Sequence, residues 1–318
     1  MVPSFIVFCL LSIECYQDPI NSGTSNATSI NENVIVSHAC NTSAWQEYIY
    51  HYRLPGNESK PIFLFVVNFH FPFYEKVNFI VNQFFVEFRK RYVIDFDVIL
   101  LGPKEDKERR IISNGLAQNG HYSYHSLTVA YDQLCLKERC FYKGFFLIND
   151  DSYIDPLFLS TYDLSQSWSE PSRIVNYTER WLWYKRNNTQ KISFRQAYEN
   201  ALRTLLYTED GKECGLHNKS NWRRGYSDAF YIVARDMPRW YRMMLVMKKN
   251  YVFLEMAVPT VNWCLTKNQF IDCNHGAMLD KFSCVHMHPV KYRKPNMTDF
   301  SLQRMDHLNM KDTPPRDY

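Results

Sequence analysis

From residue 61 the chain switches between unbroken apolar runs and longer stretches with apolar residues every three or four positions. PIFLFVVNFH (61–70) is continuous, the mark of a strand buried on both faces. EKVNFIVNQFFVEFRKR (75–91) sets Val77, Ile80, Val81, Phe84, Phe85 and Phe88 at helical spacing. It ends in a basic cluster suited to a helix C-terminus. FDVILLG (96–102) predicts a second buried strand. Residues 122–135 predict a second helix with Leu127, Ala130, Tyr131 and Leu134 on one face, and GFFLI (144–148) a third strand. Strand, helix, strand, helix, strand in that order implies an α/β fold, a mostly parallel sheet with helices on both faces. Later, DAFYIV (228–233) predicts a strand, and PRWYRMMLVMKKN (238–250) a helix with proline in its first turn.

Before residue 61 the pattern is different. Residues 5–13 are apolar, too short a run for a bilayer, which needs roughly 20 residues. They predict the h-region of a cleaved signal peptide over 1–17, or the remnant of a longer signal-anchor. Residues 18–60 are rich in Asn, Ser and Thr and predict a glycosylated stem. The core-forming domain is expected over 61–292, followed by a tail over 293–318.

N-glycosylation sequons begin at Asn26, Asn41, Asn57, Asn176, Asn187, Asn218 and Asn296. Seven of them behind an apolar N-terminus predict passage through the secretory pathway, to the Golgi or ER lumen or to the outside, with each sequon on a surface loop. The chain has nine cysteines; seven lie beyond the leader, and an oxidising lumen favours disulfides among them. Cys135 and Cys140 could clip a turn, and Cys273 and Cys284 could close a loop; no spacing suits a zinc ribbon. The net charge of +4 is too mild to imply nucleic acid or an anionic membrane as partner, and no segment after the leader predicts a membrane span. The 22 Tyr, 22 Phe and 7 Trp predict an aromatic sheet core, with some rings free to stack on a sugar or nucleotide.

Chemistry concentrates in GFFLINDDSYID (144–155), where a buried strand runs straight into Asn149, Asp150 and Asp151. In open α/β sheets ligands bind beyond the carboxyl ends of the strands. Two adjacent carboxylates there repel unless a cation joins them, and oxygen ligands suit Mg2+ or Mn2+. Such an ion can neutralise a departing diphosphate.

This stretch resembles the acidic motif of metal-dependent glycosyltransferases of the GT-A fold, a Rossmann-like architecture. The nearest form is that of β1,3-galactosyltransferase and fringe-like enzymes, similar to [DE]-D-D-x-[FY]-[VI]. The resemblance implies that Asp151 ligates the metal and that Asp150 lies near the ribose or a metal-bound water. Asn149 stands where the family has an acid. FLEMAVPTVNWCL (253–265) is similar to E-D-V-x-x-G-x-C-L, with Glu255 matching and Met256 replacing the second acid. An inverting transferase needs a carboxylate base, for which Glu255 and then Asp228 are the candidates. CVHMHPVK (284–291) resembles the late segment in which a histidine returns to the metal, implying His288 as ligand and Lys291 as diphosphate partner. The activity implied is sugar transfer from a nucleotide sugar, in particular a UDP-sugar, to a hydroxyl of a glycan or glycoprotein. A secreted glycan- or protein-binding pseudoenzyme on the same scaffold is the alternative, favoured by Asn149 and Met256. A metal-dependent hydrolase is a third reading, without the second carboxylate-and-histidine cluster that a two-metal site needs.

Overall fold

The computed structural model describes residues 43–52, 63–72, 74–92, 94–115, 119–136, 140–155, 159–269 and 286–287. Its strands in chain order are β1 (Tyr50–Tyr52), β2 (Phe63–Asn68), β3 (Phe96–Gly102), β4 (Ile111–Ser113), β5 (Gly144–Asn149) and β6 (Tyr153–Ile154). They continue with β7 (Trp168–Ser169), β8 (Ser172–Ile174), β9 (Arg223–Gly225), β10 (Ala229–Val233) and β11 (His286–Met287). Seven form one sheet in the order β1-β3-β2-β5-β10-β7, with β4 also on β3. The pairs among β2, β3, β4 and β5 are parallel, as the strand–helix alternation predicts. The remaining strands, β1, β7 and β10, join antiparallel, so the α/β sheet is mixed but mostly parallel.

The continuous apolar runs follow from helices lying on both faces. Along β2, Phe63, Phe65 and Val67 enter one core, and Leu64 and Val66 the other. The first face is covered by the helical segment 77–92, in which Ile80–Phe84 widens into a π turn. All six apolar positions predicted for that helix are buried. Phe65 is the hub of this side: its ring stacks on Phe146 at 4.5 Å and meets Phe85, Phe88 and Phe96 edge-on. The second face is covered by the helices Tyr124–Tyr131, Phe194–Leu205, Met237–Lys249 and Leu254–Leu265. β5 opens on Gly144 because the Tyr231 phenol of β10 lies where a Cβ would be.

Order begins earlier than the apolar pattern shows. Within the segment expected to be stem, β1 pairs with β3, Ile49 is buried, and His51 Nδ1 lies 2.7 Å from Asp97 Oδ1. Two disulfides, Cys135–Cys140 and Cys214–Cys264, join the described cysteines; the first closes the predicted turn. They are compatible with a secreted or lumenal protein. Cys273 and Cys284 lie outside the described residues, as do the leader, the stem as far as residue 42 and the tail. Asn176, Asn187 and Asn218 are all exposed. Asn176 and Asn218 each accept, through Oδ1, the backbone N–H two residues on, at 3.0 and 2.9 Å, which fixes their sequons as turns. No helix among the described residues is long and apolar enough to cross a membrane.

His125 is buried on the helix Tyr124–Tyr131, with Nδ1 3.1 Å from Thr128 Oγ1. Burial, and then the charge of Lys248, push its pKa down to about 3. Below about pH 6.5 the unfolded chain binds a proton that the folded chain refuses. Stability should therefore fall by up to about 1.4 kcal/mol per pH unit as pH drops through that window. Urea unfolding at pH values between about 6.5 and 4.5 should show a shallower loss for His125→Gln than for wild type.

Candidate metal and substrate site

The carboxyl ends of β2 and β5 lie side by side, with Asn68 paired to Asn149. The chain turns after Asn149: the Ser152 N–H returns to the Asn149 carbonyl at 3.0 Å, and the Asp150 N–H donates to the Asn68 carbonyl at 2.9 Å. This turn carries Asp150 and Asp151 out of the sheet, and β6 follows. Opposite them, β10 enters antiparallel, and the Asn149 N–H donates to the Asp228 carbonyl at 2.9 Å.

Behind the acids runs a buried chain of polar side chains. Asn149 Nδ2 donates to Asp228 Oδ1 at 2.7 Å, and Asn149 Oδ1 accepts from Asn68 Nδ2 at 3.0 Å. Asn68 Oδ1 accepts from Ser126 Oγ at 2.7 Å, and that oxygen accepts from Asn114 Nδ2 at 2.9 Å. All five side chains are buried. An amide at 149 donates and accepts at once, which an ionised carboxylate cannot do. An amide rather than an acid at 149 thus has a local physical cause.

In front of this chain, the loop after β2 brings His70 to the acids. The His70 N–H donates to Asp150 Oδ1 at 3.2 Å, and His70 Nδ1 lies 3.1 Å from Asp150 Oδ1 and 3.6 Å from Asp151 Oδ1. Lys76 Nζ pairs with Asp150 Oδ2 at 2.6 Å. Burial pulls the His70 pKa down, but the hydrogen bond to Asp150 and the charges of Asp151, Asp150 and Asp228 leave it raised overall. One ligand atom each from His70, Asp150 and Asp151 lie within 4.8 Å of one another, so the three could hold a metal ion. An imidazole with two carboxylates is a donor set that divalent ions accept.

The short turn Asn119–His121 lies directly against the imidazole: a Cβ on Gly120 would come within 2.7 Å of His70 Cδ2. His121 continues outward into aromatic rings, 5.3 Å from Trp183 and 5.6 Å from Phe253, which stack on each other at 4.3 Å. Burial, then Arg186 and His70, lower the His121 pKa.

Of the residues expected at the site, Asn149, Asp150, Asp151 and Asp228 come together. Glu255 sits on the first turn of the helix Leu254–Leu265, two residues beyond Phe253, and acts electrostatically on Arg224. The carboxylates felt by His70 are Asp150, Asp151 and Asp228. Met256, in place of a second acid, is fully buried in the core. His288 and Lys291 lie outside the described residues. The backbone just before them, β11, pairs with β6: His286 with Ile154 and Met287 with Tyr153. Missed from the sequence were His70, Lys76, Asn68 and Ser126. The polar Asn-Phe-His directly after a buried strand was the available signal, since it marks a carboxyl end just as Asn-Asp-Asp does.

No family model matches the chain, and no curated protein matches its sequence.

Asn149→Asp tests the polar chain. The variant puts a carboxylate against Asp228 and removes the donated hydrogen bond. Without divalent metal it should lose roughly 2 kcal/mol or more of stability, read by urea unfolding in EDTA. Excess Mn2+ should recover part of that loss.

Proposed function

We propose that the chain is a lumenal or secreted metal-dependent glycosyltransferase with a GT-A-like fold. It would move a sugar from a nucleotide sugar, in particular a UDP-sugar, to a hydroxyl of a glycan or glycoprotein. The observation that carries this reading is the convergence of Asp150, Asp151 and His70 beyond the carboxyl ends of two parallel strands, the ligand position of open α/β sheets.

Each residue then has a role. Asp151, Asp150 and His70 would hold Mn2+ or Mg2+, and the ion, when bound, supplies positive charge against the donor diphosphate. By the family resemblance, His288 would add a ligand and Lys291 would meet the diphosphate. Asp228 is buried and tied to Asn149, which suits it to positioning the strand ends. Glu255 is partly exposed at a helix N-terminus, where the macrodipole favours a carboxylate. It is the better candidate to accept the proton of the attacking hydroxyl. His121 and Trp183, both part-buried, would border the site beside His70, with Phe253 buried behind them.

Lys76 favours a second reading. It already supplies a cation to Asp150, and a binding protein built on this scaffold would need no metal. Purified full chain separates the two. For the transferase, Mn2+ should support release of nucleotide diphosphate from at least one sugar nucleotide, and Asp151→Asn should lower turnover roughly a hundredfold or more. Lys76→Met should tighten Mn2+ binding, read as half-saturation at lower concentration in a thermal-shift titration. Full turnover by Asp151→Asn would sink the mechanism. No Mn2+-dependent shift with any nucleotide sugar, in wild type or in Lys76→Met, would favour the binding protein.

A further inference from the structure

A cavity of about 550 Å3 opens on the second face of the sheet, lined by Tyr122, Tyr124, Gln190, Leu245, Lys248, Lys249 and Tyr251. That volume suits a small ligand. Its position is fixed by the helix Tyr124–Tyr131, whose first turn is tied through Ser126 to Asn68 at the carboxyl end of β2. The cavity therefore lies at the same end of the sheet as Asp150. Tyr122 directly follows His121, the ring that borders the His70 site.

The lining has one chemical sense. It is built from two lysines, a glutamine, a leucine and three tyrosines, of which Tyr122 and Tyr124 are buried in its floor, and it contains no carboxylate. Neither lysine has a carboxylate within 4.0 Å among the described residues. Lys248 is part-buried, and burial lowers its pKa against the weaker pull of Asp132. An ordinary reading exists for these lysines, since cations in the last turn of a helix meet its negative end. That reading does not account for the cavity. Tyr251 has φ +52° and ends the helix Met237–Lys249 as its left-handed residue: its N–H donates to the Lys248 carbonyl at 2.9 Å and the Val252 N–H to the Met247 carbonyl at 3.1 Å. This turn is held from both sides. Tyr124 Oη donates to the Val252 carbonyl at 2.9 Å, and Asn188 Nδ2 reaches the Asn250 carbonyl at 3.4 Å. The hold keeps the Tyr251 ring on the cavity wall, 5.9 Å from the ring of Tyr122.

We propose that this cavity is a subsite for an acidic sugar, one bearing a carboxylate or sulfate. Lys248 and Lys249 take the anionic group, the part-exposed Tyr251 ring lies on the C–H surface of the sugar, and Gln190 pairs with a hydroxyl. The proposal rests on the transferase reading only in making this sugar part of the acceptor, placed beyond the residue that is glycosylated.

The test is titration calorimetry on the full chain in EDTA, so that the metal group plays no part. The probes are a uronate-containing tetrasaccharide, its neutral analogue of equal length, UDP and inorganic phosphate. The acidic tetrasaccharide should bind at least about tenfold more tightly than the neutral one. Lys248→Met with Lys249→Met should remove that difference, and Gln190→Ala, at an exposed position, should weaken binding without changing the melting temperature. Asp151→Asn should leave it unchanged. Equal binding of acidic and neutral sugars, or no effect of the lysine and glutamine variants, would overturn the proposal. So would inorganic phosphate or UDP matching the tetrasaccharide, which would make this a phosphate site. Turnover on a neutral acceptor without acidic-sugar binding defeats the subsite alone. Acidic-sugar binding without any transfer defeats the transferase reading and leaves the subsite standing.

Discussion

The five-member polar chain from Asp228 through Asn149, Asn68 and Ser126 to Asn114 is the constraint on which the site depends. It crosses the ends of β10, β5 and β2 and reaches the first turn of a helix and the segment after β4. Each member is buried, and each link is short. Buried polar groups are costly when partly satisfied and rigidifying when fully satisfied. This chain therefore fixes the relative height of the strand ends to within a hydrogen-bond length. The acids project from a surface whose positions are already set.

The two cores on either side of the sheet serve that end differently. On one side the Phe65 hub anchors β2 and β5 to the helical segment 77–92, whose first residues follow directly on Lys76. On the other side four helices cover the sheet, and their ends and connecting turns carry the aromatic rings, Glu255 and the lysine-lined cavity. The acidic group belongs to the strand ends, and the aromatic rings and the cavity to the helix ends and turns. The first needs rigidity, whereas the second can change with little effect on the core.

Much of this was legible in the residues. The strands at 63–68, 96–102 and 144–149 and the helices that separate them appear as apolar period and run length, because burial on both faces leaves few polar positions inside a strand, Asp97 with its partner His51 being one. Three other features were not legible. β1 is only YHY, and its pairing with β3 leaves no periodic trace in so short a segment. The helix Leu254–Leu265 runs unbroken through Pro259, a residue that in a sequence argues against a helix interior. The third is His70. The acid pair announces itself as two charges at a strand end, while a single histidine 80 residues before Asp150 becomes a neighbour only through the parallel pairing of β2 with β5. A motif records position along the chain and not proximity across a sheet; the late histidine to which the resemblance pointed, His288, lies outside the described residues.

Lys76 has a consequence for the order of events in the life of the chain. An acidic turn that needed a divalent ion to relieve its repulsion would make folding depend on metal supply, as in small metal-stapled domains. Here the ammonium of Lys76 and the imidazole of His70 already stand against the carboxylates. The fold and its disulfides can therefore form without a divalent ion, and any ion taken up at this turn would have to exchange for the cation of Lys76.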